Sequence, residues 1–79
     1  TKTKEKIEKL IRQYNDKLSI HDFRMVTGKT HTNVIFDPVI PYGKEYQVGK
    51  IVKEIRKKIH NEMPNNYFAV IKVDRTAVI

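Results

Sequence analysis

Two periodicities meet in the second half of this chain, and their order limits the fold more than any other feature. From Lys44 to Glu62 the apolar residues Tyr46, Val48, Ile51, Val52, Ile55 and Ile59 recur at the three-and-four spacing of a helix. From Tyr67 to Asp74 the pattern changes to the every-other-residue alternation of a strand, after a break at Met63-Pro64-Asn65-Asn66. Another strand precedes the helix, running from His31 to about Val39 and separated from it by Pro38, Pro41 and Gly43. Strand, helix, strand is a crossover unit, so its two strands are expected to be parallel with a right-handed connection.

Upstream, Ile7, Leu10, Ile11 and Tyr14 mark one face of a helix from Lys4 to about Asn15, with Thr3 as its N-cap. Ile20 to Thr27 reads as a strand that Gly28-Lys29-Thr30 turns back onto the strand from His31, forming an antiparallel hairpin. The order helix, strand, strand, helix, strand predicts an α+β chain. Its architecture is a ferredoxin-like, two-layer αββαβ sandwich with a three-stranded mixed sheet, lacking one strand of the full pattern.

At 79 residues the chain is one domain, spanning 1–79. A domain of this size buries only about 60% of its unfolded surface, so association with a second copy is expected. The absence of cysteine removes disulfides, thiolate ligands and cysteine nucleophiles, leaving His, Asp and Glu as candidate metal ligands. No apolar run is long enough to span a bilayer. A start at Thr1 without methionine is expected either of part of something longer or of a processed N-terminus. Sixteen Lys and Arg against nine Asp and Glu give +7, which attracts an anionic surface, although Lys50, Lys53, Arg56, Lys57 and Lys58 also read as an ordinary solvated helix face.

Side chains alternate across a sheet, so Ala69, Ile71 and Val73 should face the helices while Phe68, Val70, Lys72 and Asp74 face away. Likewise Val34, Phe36 and Pro38 should face the helices, and Ile35, Asp37 and Val39 the other side. Two helices cover one face of such a sheet. The other face would expose Phe23, Ile35, Val39, Phe68 and Val70, an apolar patch of the kind that marks association; a covering loop or tail is the alternative to a twofold dimer.

On that face the hairpin register decides which polar residues meet. A three-residue loop, Gly28 to Thr30, sets His21 directly opposite Asp37, whereas a two-residue Gly-Lys turn separates them. The three-residue register is preferred because it groups His21, Phe23, Ile35 and Asp37, although without a bulge it aims Asp22 and Arg24 at the helices. With Asp74 on the same face, one imidazole and two carboxylates make a candidate site for zinc or another divalent cation. A His near two Asp is also a common surface hydrogen-bond cluster. His31 and His60 read as surface residues.

Ile20 to Pro41, IHDFRMVTGKTHTNVIFDPVIP, and Tyr67 to Arg75, YFAVIKVDR, resemble the C-terminal domain of the cation diffusion facilitators, a family of divalent-metal efflux transporters. The resemblance covers nearly the whole chain. It implies a cytosolic, metallochaperone-like domain beneath the membrane domain of the same transporter, at the cytoplasmic face of the membrane, forming a homodimer through its sheet face. In several members this domain binds zinc near the interface, while exchange of divalent cation for protons belongs to the membrane part. By the same resemblance His21 and Asp74 match ligand positions, Asp37 occupies the place of a histidine, Lys72 stands where the third strand usually offers another histidine, and Gly49 replaces a helix histidine of some members. An ammonium has no lone pair to donate and repels a cation, so Lys72 opposes metal and offers instead a charge partner for Asp37 or Asp74.

Two other classes fit the same architecture. A basic RNA-binding module would use Phe23 and Phe68 as stacking platforms, but Asp37 and Asp74 repel phosphate there and no RNP-type or Gly-x-x-Gly motif is present, so nucleic acid is not an expected partner. A ligand-binding regulatory module differs only by a cleft at a dimer seam. An enzyme is not expected, since no nucleophile has a base at a recognisable spacing and Gly28, Gly43 and Gly49 form no phosphate loop.

Overall fold

The computed structural model describes residues 1–73. Helix α1 spans Lys2–Tyr14, strand β1 Ser19–Thr27, strand β2 Thr32–Val39, helix α2 Val48–Glu62 and strand β3 Tyr67–Ile71, with a 3-10 turn at Glu45–Gln47 leading into α2. The sheet order is β1-β2-β3, antiparallel between the first pair and parallel between the second. This is the expected α+β, ferredoxin-like arrangement, and neither helix is long and apolar enough to cross a membrane.

The helices lie over one face because their apolar stripes are continuous. Ile7, Leu10 and Ile11 from α1 and Ile51, Ile55 and Ile59 from α2 close over Val34 and Phe36 of β2 and Ala69 of β3. Leu18, Ile20 and Met63 complete the core. Phe36, Val34, Ile7 and Ile55 are wholly buried, each such side chain contributing about 1.5–3 kcal/mol.

Local chemistry shifts some boundaries. The N-cap of α1 is Thr1, whose Oγ1 accepts from the Lys4 N–H at 3.2 Å, and not Thr3, so the helix starts two residues earlier than its apolar spacing indicates. Asn15 ends it, and its side-chain oxygen accepts from the Lys17 N–H at 2.9 Å to turn the chain toward β1. Tyr46 lies in the 3-10 turn and is 78% exposed, departing from the buried stripe because the helical period does not extend through that turn. Gly43 holds φ +87°, the left-handed backbone that glycine adopts freely.

The hairpin differs from expectation in an informative way. Its connection is four residues, Gly28 to His31, closed by the Gly28 N–H donating to the His31 carbonyl at 2.8 Å. Continued along the strands, that register would set Asp22 against Asp37 and turn His21 toward the core. A bulge between His21 and Arg24 adds one residue to β1 and corrects it, so that His21 pairs with Asp37 and Ile20 with Pro38. Asp22 sits in the bulge at φ +55°, a conformation Asp tolerates better than most residues. Each half of β1 therefore has its own register: Ile20 reaches the core from one, while Arg24 pairs with Ile35 in the other.

Candidate functional site

Among the described residues, no element covers the face of the sheet opposite the helices. Strict alternation on β2 buries Thr32, Val34, Phe36 and Pro38 and turns Asn33, Ile35, Asp37 and Val39 outward. On β3, Ala69 is buried while Phe68 and Val70 are 53% and 38% exposed. The parallel register sets Phe68 beside Asn33 and Val70 beside Ile35, so apolar residues from two strands form one patch, with Val39 exposed farther along β2.

Phe23 is a correction. The bulge returns it to the helix side, where it is half-buried against the core, and Arg24 takes the position across from Ile35. The outer face is consequently narrower and more basic than the sequence indicates. Sequence spacing misses this because a bulge adds one residue to a strand without any mark in the spacing of its apolar positions.

At the end of this face His21 and Asp37 are direct cross-strand partners, a pairing that places Cβ atoms roughly 4.5–5.5 Å apart. The Lys72 N–H donates to the Phe36 carbonyl at 3.0 Å, extending the parallel ladder one step beyond β3. In that continued register Lys72 neighbours Asp37, so an imidazole, a carboxylate and an ammonium share one corner. Asp74 lies outside the described residues.

That corner does not by itself fit a zinc ion. Zinc takes four donors, and among the described residues no group of three His, Cys, Asp or Glu side chains converges. His21 and Asp37 offer one nitrogen and one carboxylate, and Lys72 adds positive charge where a cation would sit.

A second feature was not singled out by sequence reasoning. A groove of about 390 Å³ follows the edge of β3 that no described strand pairs with, beneath α2, lined by Lys53, Arg56, Lys57 and His60 from the helix and by Tyr67 and Phe68 from the strand. Arg56 anchors it, one guanidinium N–H donating to the Ala69 carbonyl at 2.7 Å. In sequence these cations are indistinguishable from a solvated helix face; only the crossover brings them over aromatic residues. His31 stands at 5.3 Å from Phe68, edge to face, and lies within 3.0 Å of the Thr30 hydroxyl.

Two solved chains share this fold, both from the proposed zinc transporter CzrB. One aligns with a TM-score of 0.73 at 16% identity over 89% of this chain and 88% of its own. The other, a Zn form, aligns with a TM-score of 0.73 at 14% identity over 92% and 84%. No protein-family model and no curated protein sequence matches the chain. At such identity the likeness establishes the fold, and it extends over nearly the whole of both chains.

Proposed function

We propose that this chain is the cytosolic C-terminal domain of a cation diffusion facilitator and that it serves to dimerise a divalent-metal efflux transporter. The observation that carries the reading is the outer face, uncovered among the described residues: Ile35, Val39, Phe68 and Val70 form an apolar patch on a fold shared over 89% of this chain with a solved chain of a proposed zinc transporter. A twofold partner laying the same patch against it would bury these residues without any further segment. The domain is a dimerisation module and not an enzyme.

Zinc or a related divalent cation is, on this reading, the cargo of a membrane part. The positive charge suits a domain held beneath an anionic inner leaflet, since lysines near such a surface are attracted to it. His21 and Asp37 would supply two donors to a sensing site and Asp74 a third, against opposition from Lys72. Equilibrium sedimentation of the wild-type chain tests the dimer directly: the expected mass is twice 9.3 kDa, and a monomer at high micromolar concentration would remove the basis of the proposal.

A further inference from the structure

We infer that the groove between α2 and this edge of β3 binds a nucleoside di- or triphosphate. This goes beyond the dimerisation reading and shares Phe68 with it, since that side chain borders both the groove and the outer apolar patch. Lys53, Arg56 and Lys57 converge from one side of α2, and among the described residues none that lines the groove is acidic. The volume, about 390 Å³, lies in the range of small-molecule sites.

The chemistry of the walls selects the ligand class. Lysine and arginine donate charge-assisted hydrogen bonds to phosphate oxygens, and arginine presents a planar fork suited to them. Here the fork is held in place by its bond to the Ala69 carbonyl, which limits the freedom lost on binding. Tyr67 and Phe68 form the strand side of the groove, and Phe68 is 53% exposed in the single chain, leaving ring surface for a base to stack upon where a partner does not cover it.

The acidic corner is remote. Phe68 pairs with Asn33, four residues before Asp37 on β2, a separation of roughly 13 Å along a strand. The carboxylate that argues against phosphate on the outer face therefore does not reach the groove. A flat membrane surface would be met by cations spread over a plane, whereas these converge on a concavity with aromatic walls, which favours a free nucleotide over a lipid headgroup.

The test is calorimetric titration of the full 79-residue chain with metal-free ATP at low salt, with sedimentation mass read on the same samples. Lys53→Glu/Lys57→Glu, at two exposed positions, should weaken ATP binding about tenfold or more. Lys2→Glu/Lys4→Glu, also exposed and equal in charge change, should weaken it less than about twofold. Inorganic pyrophosphate should bind at least about fivefold more weakly than ATP, and Phe68→Ala should narrow that gap. Three results would each overturn the inference: no ATP binding at millimolar concentration, equal losses in the two double variants, or binding to phosphatidylglycerol vesicles sensitive to Lys53→Glu/Lys57→Glu without any binding of ATP.

Discussion

His21 stands across from Asp37 because Asp22, its neighbour, takes up the extra residue of a bulge at φ +55°. The four-residue connection at Gly28 to His31 and the bulge offset one another. One advances the register by a residue, and the other returns it before His21 is reached. The polar corner of the outer face and the burial of Ile20 thus share a single cause.

If that backbone is as described, position 22 should tolerate glycine and resist branching. Asp22→Gly should change stability by no more than a few tenths of a kcal/mol, while Asp22→Val should cost about 1–2 kcal/mol, since a β-branched residue is poorly accommodated at positive φ. Urea denaturation of the two variants separates these outcomes. Equal stability would place the bulge elsewhere.

Gly49 lies in the first turn of α2, exposed, with nothing within 4 Å of where a Cβ would stand. Gly49→Ala should therefore stabilise the domain by about 0.5 kcal/mol through reduced freedom of the unfolded chain. The expected rise in Tm is about 2–4 °C by thermal circular dichroism. A fall in Tm would mean that a contact not visible in the single chain uses the space.

Phe36 and Phe68 are both strand phenylalanines, but one is wholly buried and the other 53% exposed. Phe36→Ala should cost about 3–5 kcal/mol, a large share of what a domain this small can hold. Phe68→Ala should leave the fold of one chain intact and weaken association instead. Denaturation midpoints extrapolated to low protein concentration distinguish the two effects.

Much of this fold is legible in the sequence, for reasons that particular residues make plain. On β2 and β3 the alternation of Val34, Phe36 and Ala69 with Ile35, Phe68 and Val70 has period two without interruption, so facing could be read directly. On β1 it could not, because the bulge moves Phe23 to the core side and gives Arg24 its place. Tyr46 failed for a related reason, lying in a 3-10 turn that the helical period does not describe. The groove at β3 was invisible because its cations and aromatics lie on separate elements, and only the crossover unites them.

For metal, the corner predicts a graded series. His21→Ala should weaken any zinc binding by removing the one imidazole paired with Asp37, and Lys72→His should tighten it by exchanging an opposing charge for a nitrogen donor. Calorimetric titration with zinc measures both. Equal affinities for wild type, His21→Ala and Lys72→His would mean that the cation, if bound, is held elsewhere.

The central claim is that the outer face is a twofold interface, and its most direct test is the mass of Val70→Glu. Val70 sits beside Ile35 in the middle of the patch and is 38% exposed in the single chain, so a carboxylate there is tolerated by the fold and is repelled by its own copy across a dimer axis. Sedimentation equilibrium at high micromolar concentration should give twice 9.3 kDa for wild type and 9.3 kDa for Val70→Glu, with unchanged circular dichroism. A folded Val70→Glu that retains the wild-type dimer mass would contradict the interface on which the account rests.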